Sequence, residues 1–218
     1  MPRAGLTTDR VVAAAADLAD ETGFGAVTVS ALARRLGVRD ASLYTHVRNL
    51  QDLRFRVALL AGGELIEEIA QAVAGRAGKE ALAAFAGAYR AYALRHPGRY
   101  AATQIRVDQA LVADSPALRR TAEITYGMLR AYGLAEPDLT DAVRLLRATF
   151  HGYCALEASG GFGAPRDVRA SWDKAVDALH VALENWPRAE GAGEEDGDAD
   201  GDADGDADGD AERQGTAG

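Results

Sequence analysis

Between Arg39 and His46 the sequence places guanidinium, hydroxyl and imidazole groups where a short helix would expose them. Leu43 and Val47 have the spacing to pack inward, which leaves the following side chains outside: Arg39, Ser42, Tyr44, Thr45 and His46. These groups are donors and acceptors that can contact phosphates and base edges. The segment is therefore a candidate DNA-contact surface.

The elements around this surface have the spacing of a helix-turn-helix motif. A first short helix is predicted from an apolar face that comprises Val29, Leu32, Ala33 and Leu36. Thr28 or Ser30 can cap its start, and Gly37 tolerates the left-handed turn that ends it. The second short helix, predicted for residues 40–47, is the one that can enter a major groove.

His151 and Cys154 form a second candidate pair, because they lie three residues apart on a predicted helix and could act as base and nucleophile. An enzyme is the weaker alternative, since the sequence has no glycine-rich phosphate loop, no serine-hydrolase motif and no metal-spaced His/Cys cluster. We expect no enzymatic activity, no cofactor and no metal site.

The C-terminal residues 189–218 contain the repeat GDADGDADGDADGDAE and are expected to form a disordered acidic tail. The start of a calcium loop is matched by Asp196, Asp198, Asp200 and Gly201, but Ala207 stands where such a loop needs a bidentate Glu. Residues 190–218 carry 12 acidic residues and one Arg, which is a charge of −11 within a net charge of −9, so the rest of the chain carries +2. The negative net charge of the chain therefore does not argue against DNA binding.

The rest of the 218-residue chain reads as helical, and no run of alternating residues predicts a sheet, so the predicted class is all-α. The helices expected after residue 50 cover residues 50–74, with a bend or break at Gly62-Gly63, then 80–95, 98–107, 115–132, 136–158 and 166–185. A single cysteine suits a reducing cytoplasm. No signal peptide or transmembrane helix is expected.

The N-terminal segment resembles the DNA-binding domain of the TetR family of bacterial transcription regulators. The resemblance lies in Thr28-Val29, Leu32-Ala33, Leu36-Gly37-Val38, Ser42-Leu43-Tyr44, His46-Val47, Asn49 and Leu53. Gly23-Phe24 extends it toward the N-terminus. One position departs from the family pattern, because Leu50 stands where the family often has a phosphate-binding Lys, and Arg48 is the candidate substitute.

The resemblance assigns DNA contacts to individual residues. It implies that Thr28, Tyr44 and His46 contact the DNA backbone, and that Arg39, Asp40, Ser42 and Thr45 lie near base edges. Arg39 is the best candidate to bind guanine through paired N–H donors. Asp40 has an alternative role as the cap of the second helix.

Because one short recognition helix reads few bases, the resemblance also implies a homodimer on a near-palindromic double-stranded DNA operator. The last two helices are the expected interface. One contributes a face of Leu139, Val143, Leu146, Phe150, Tyr153 and Cys154, and the other contributes Trp172, Val176, Leu179, Val181, Leu183 and Trp186. Burial inside one monomer explains part of these faces equally well.

The middle of the chain carries aromatic and polar residues suited to a small-molecule pocket: Tyr89, Tyr92, Tyr100, Tyr126, Phe150 and His151. Phe150-His151-Gly152 resembles the TetR regulatory domain type called WHG. The predicted organisation is a helix-turn-helix domain at 1–50, a regulatory and dimerisation domain at 51–188, and the tail. The predicted function is a cytoplasmic DNA-binding regulator, a repressor released by a small, largely apolar ligand. A regulator without a small-molecule effector, or an activator, is the alternative.

Overall fold

The computed structural model describes residues 5–105 and 116–187. In this part of the chain every regular element is helical, as the sequence predicts. Nine α-helices lie within it: α1 (Thr8–Thr22), α2 (Val29–Leu36), α3 (Asp40–Leu43), α4 (Leu50–Val73), α5 (Gly78–Arg95), α6 (Pro97–Ala102), α7 (Pro116–Arg130), α8 (Asp138–Ala158) and α9 (Val168–Glu184). None of these helices is long and apolar enough to cross a membrane.

The first four helices enclose a small apolar core. The Thr7 hydroxyl caps α1 by accepting a hydrogen bond from the backbone N–H of Arg10, and Gly23 ends the helix at a φ of 88°. The core contains Val11, Ala15, Val27, Leu32, Leu43, Val47, Leu53 and Val57, all buried. Since Leu53 and Val57 belong to α4, this core reaches beyond residue 50.

Helix α4 runs unbroken through Gly62 and Gly63, so the bend or break expected there is not an interruption of the helix. Its N-terminal half packs in the small core, while Ile66 and Ile69 pack in a second, larger core. One continuous helix therefore contributes to both cores. The boundary between residues 50 and 51 stays a prediction.

The second core buries most of the faces that the sequence suggested for a dimer interface. Leu139, Leu146, Phe150 and Cys154 of α8 are buried, together with Trp172, Val176, Leu179 and Leu183 of α9. They meet apolar residues of α4, α5 and α7 within the same chain. These residues therefore stabilise the monomer, and of the twelve only Val181 is exposed, at 56%.

Helix α6 packs closely on α1. Pro97 occupies the first turn of α6, where proline needs no hydrogen-bond partner. The helix predicted for residues 98–107 ends at Ala102 instead, and residues 103–105 form a turn. Residues 106 and 107 lie outside the described part of the chain, as does the acidic tail.

Candidate DNA-binding surface and effector cavity

The turn between α2 and α3 has the geometry that its sequence predicts. The Thr28 hydroxyl accepts a hydrogen bond from the backbone N–H of Ala31 at 3.1 Å and so caps α2. Gly37 ends α2 in the left-handed region, with φ 67° and ψ 33°. Leu43 and Val47 are buried, which fixes α3 against the small core and turns its polar residues outward.

Helix α3 is shorter than the predicted segment of residues 40–47. It ends at Leu43, and Tyr44, Thr45 and His46 form a turn. The Thr45 hydroxyl donates to the Ser42 carbonyl at 2.8 Å, a local bond that competes with continuation of the helix. Thr45 and His46 are therefore presented from a turn.

Asp40 does not cap α3, so this expectation from the sequence is wrong. Arg39 occupies the cap position and makes no side-chain capping bond. The Asp40 carboxylate instead accepts a hydrogen bond from the Ser30 hydroxyl at 2.5 Å. This bond joins α3 to α2 across the turn of the motif.

Seven of the eight residues expected to contact DNA are exposed: Thr28, Arg39, Asp40, Ser42, Tyr44, Thr45 and Arg48. His46, the eighth, is half-buried. Tyr44 is 54% exposed, which makes it surface rather than core. The structure thus brings these side chains together around α3, while their contacts with DNA stay a prediction.

Leu50, where the family often has Lys, begins α4 and is half-buried against the small core. The adjacent Arg48 has an exposed side chain, and its backbone N–H donates to the Asp52 carboxylate at 2.9 Å. Asn49 caps α4 by accepting from the backbone N–H of Asp52. This pair of capping bonds holds Arg48 directly before the helix.

A cavity of about 290 Å³ lies among α4, α5, α7 and α8, next to the turn that follows α6. Of the residues expected to bind a ligand, Tyr89 and Phe150 line it. Apolar walls come from Leu65, Ile66, Ile69, Phe85, Val143 and Leu146. The volume is near the lower end of small-molecule sites.

Tyr100 and His151 do not line the cavity, but hydrogen bonds connect them to Tyr89, which does. The Tyr100 hydroxyl lies 2.9 Å from the Tyr89 hydroxyl and 2.8 Å from Nδ1 of His151, so the three side chains form one hydrogen-bonded chain. Burial raises the pKa of both tyrosines. The hydrogen bond between them adds to the rise in the pKa of Tyr100 and opposes the rise in that of Tyr89. The two phenols are therefore neutral hydrogen-bonding groups at physiological pH.

Tyr92 and Tyr126 do not line the cavity. The Tyr92 hydroxyl donates to the Glu64 carboxylate at 2.9 Å and lies 3.1 Å from the Ala61 carbonyl, which joins α5 to α4. Burial, reinforced by the Glu64 charge, raises the pKa of Tyr92. Tyr126 is half-buried and packs against the larger core.

Five polar residues of the cavity were not predicted from the sequence: Thr103, Gln104, Thr121, Thr125 and Arg147. Arg147 could have been predicted from the sequence, because it lies at helical spacing on the same face as Val143, Leu146 and Phe150. The other four come from the turn after α6 and from α7. Only the tertiary fold brings them to the cavity.

Comparison with known proteins gives the family. The family model described as "Bacterial regulatory proteins, tetR family" matches residues 11–57, and the one described as "Tetracyclin repressor-like, C-terminal domain" matches residues 82–179. The two matches cover the small core and most of the larger one. The WHG type of the second domain stays a prediction.

Two relatives and one solved structure agree with these matches. The uncharacterized HTH-type transcriptional regulator YobS of Bacillus subtilis (strain 168) is 32% identical over 173 residues, which are 78% of this chain and 88% of the relative. The uncharacterized HTH-type transcriptional regulator Rv0681 of Mycobacterium tuberculosis (strain ATCC 25618 / H37Rv) is 35% identical over 161 residues, 72% of each chain.

The solved structure is that of the Streptomyces coelicolor TetR family protein ActR in complex with (S)-DNPA. It is 22% identical, covers 83% of this chain and 98% of its own, and has a TM-score of 0.63. It therefore shares the fold. From the two family matches and the two relatives it follows that this chain belongs to the TetR family of bacterial transcriptional regulators.

Proposed function

We propose that this protein is a cytoplasmic, sequence-specific repressor that binds a near-palindromic operator as a homodimer and is released when a small, largely apolar molecule occupies the cavity. The observation that carries the DNA-binding part is the surface around α3, where buried Leu43 and Val47 leave a cluster of exposed polar side chains. Such a surface has the donors and acceptors needed for phosphates and base edges.

The effector part rests on the cavity and on its position. α4 lines the cavity with Gly62, Leu65, Ile66 and Ile69, and the same helix supplies Leu53 and Val57 to the core beneath α3. A ligand that favours one position of α4 would therefore shift the equilibrium between DNA-binding conformations. The related protein ActR has been solved in complex with a small molecule, (S)-DNPA, which supports an effector here.

A regulator fits the described chemistry better than the rival enzyme. Burial raises the pKa of the Cys154 thiol to about 11, and the Glu157 carboxylate adds to the rise. A nucleophilic cysteine needs the opposite shift. His151, its expected base, is hydrogen-bonded through Nδ1 to Tyr100.

The test is fluorescence anisotropy at physiological salt with two duplexes, one carrying the region upstream of the protein's own gene and one a scrambled sequence of equal length. We expect clear preference for the first duplex. Arg39→Ala should weaken that binding by about 1–3 kcal/mol and relax the preference at one base pair. Arg169→Ala, which removes an exposed arginine from α9, is the matched control and should change neither.

Three results would contradict the proposal or the base contact assigned to Arg39. Equal binding to both duplexes would argue against specificity for this operator. A uniform loss with Arg39→Ala on every sequence would make Arg39 a phosphate contact. Transcription that falls on deletion of the gene would indicate an activator instead of a repressor.

A further inference from the structure

The cavity has one charged residue among its described lining residues, and that residue is Arg147. No Asp or Glu lines it in the described part of the chain. Its walls are otherwise apolar or carry neutral hydroxyl and amide groups. A ligand with a positive charge would find no counter-charge there, whereas an anion would.

Arg147 also differs from its neighbour one turn earlier on α8. Arg144 pairs with Asp141 at 3.1 Å, whereas within residues 5–105 and 116–187 the Arg147 guanidinium makes no ion pair or hydrogen bond. Arg147 is exposed and also lines the cavity, so it lies at the opening. A planar guanidinium with open donors matches a carboxylate, which it can bind through two parallel hydrogen bonds.

Tyr89 adds a further hydroxyl group to the cavity. The positive charge of Arg147 lies near enough to oppose the rise that burial causes in the pKa of Tyr89. If the His151 Nδ1–H donates to Tyr100 and Tyr100 donates to Tyr89, the Tyr89 O–H is left free to donate to an acceptor. The hydrogen bonds among His151, Tyr100 and Tyr89 can therefore direct the Tyr89 O–H toward an anion.

The cavity volume limits the size of such a ligand. About 290 Å³ holds roughly ten groups of the size of a water molecule, each taking about 30 Å³. The apolar walls favour a hydrocarbon or aromatic body. The opening beside Arg147 leaves the acidic end near solvent, where an ion loses less hydration than it would in the interior.

We propose that the effector is an amphipathic monocarboxylate of about ten non-hydrogen atoms, whose apolar body fills the cavity and whose carboxylate pairs with Arg147. This inference rests on the proposed function, since it names the chemical class of the molecule that would release the operator. Arg147 is thus the residue that sets specificity for an acid over an alcohol or an amine of the same size.

The experiment is isothermal titration calorimetry of the 218-residue chain with octanoate, 1-octanol and octylamine, which is a cation at neutral pH. We expect octanoate to bind at least tenfold more tightly than the other two. Arg147→Gln should lower the affinity for octanoate at least tenfold and leave 1-octanol unchanged, which also shows that the variant is folded. Arg147→Lys, which keeps the charge, should retain part of the preference.

Arg144→Gln is the matched control, because it removes an equal charge one turn away that does not line the cavity, and it should change no affinity. Equal binding of octanoate and 1-octanol by the natural chain would overturn the proposal. So would an unchanged octanoate affinity in Arg147→Gln, or no octanoate binding at all.

Operator anisotropy separates this inference from the proposed function. Octanoate that binds through Arg147 without releasing DNA would leave the ligand class standing and refute the effector role. Specific operator binding without any octanoate binding would refute the ligand class and leave DNA recognition intact.

Discussion

At Gly98 the backbone of α6 lies directly against the backbone of α1. A Cβ atom placed on Gly98 would lie 2.0 Å from the carbonyl carbon and oxygen of Ala19 and 2.4 Å from the nitrogen of Asp20. These are backbone atoms that no rotamer change can move, so the two helices would have to separate. Gly98 is therefore a glycine that the packing requires.

Gly98→Ala should lower the stability of the chain by about 1–3 kcal/mol or more, since overpacking at a helix contact displaces backbone. For a chain of this length each kcal/mol corresponds to a fall of about 2–4 °C in Tm. Thermal unfolding followed by circular dichroism measures it. Gly87→Ala on α5 is the control, because a Cβ there meets nothing within 4 Å, and it should stabilise by roughly 0.5–1 kcal/mol. Equal Tm values for the two variants would contradict the predicted clash.

Single residues were predictable where their role is local. Thr28 as a cap, Gly37 as a left-handed turn and the inward packing of Leu43 follow from neighbours within a few positions, and the structure has each of them. Asp40 was assigned wrongly because its partner, Ser30, lies on the other helix of the motif. The bond between Tyr92 and Glu64 likewise joins residues 28 positions apart, which local spacing cannot reveal.

At the scale of elements, Arg99 joins α6 to both α1 and α4. Its guanidinium bonds Asp17 at 2.7 Å, pairs with Asp20, and lies 3.3 Å from the Glu64 carboxylate. Its backbone N–H donates to Asp20 at 2.8 Å. Because α6 is followed by the turn that lines the cavity, this cluster joins the cavity side of the molecule to α1, which packs in the small core with α2 and α3.

Arg99→Met should lower the free energy of unfolding by about 2 kcal/mol, because it removes the guanidinium and leaves the half-buried Asp20 carboxylate with only His96 and a backbone N–H as partners. Urea denaturation measures the change. The control is Arg169→Met, which removes one partner of an exposed pair whose nitrogen–oxygen distance is 3.9 Å, and it should cost less than about 0.5 kcal/mol. A loss no larger than that of the control would show that the cluster around Arg99 does not stabilise the fold.

Helix positions were also predictable, because caps and apolar spacing are local; α4, expected at residues 50–74, spans Leu50–Val73. The elements that cover each apolar face could not be predicted. The faces of α8 and α9 read from the sequence could pack in the monomer or against a second copy, and spacing alone cannot distinguish these cases. The structure buries Phe150 and Trp172 in the monomer, with their ring centroids 5.4 Å apart.

At the scale of the whole molecule, the opposite faces of α8 and α9 carry exposed apolar side chains. Three large apolar residues are exposed there, Leu145 and Leu156 on α8 and Val181 on α9. The positions beside them are small, at Ala148, Gly152, Ala178 and Ala182, which lets helices of two copies approach closely. We infer that the proposed dimer forms through this outer face. The interface would then be a four-helix packing of α8 and α9 from both copies, as the sequence predicts, but through the exposed faces of these helices instead of the buried ones.

The double substitution Leu156→Asp with Val181→Asp should convert the dimer into a folded monomer, because both side chains are exposed in the single chain and their loss leaves its core intact. Sedimentation velocity at micromolar concentration gives the mass, and operator affinity should fall with it, since one recognition helix reads only half a site. Leu94→Asp on α5, a matched exposed leucine, should remain dimeric. A monomeric natural chain, or a double variant that stays dimeric, would place the interface elsewhere.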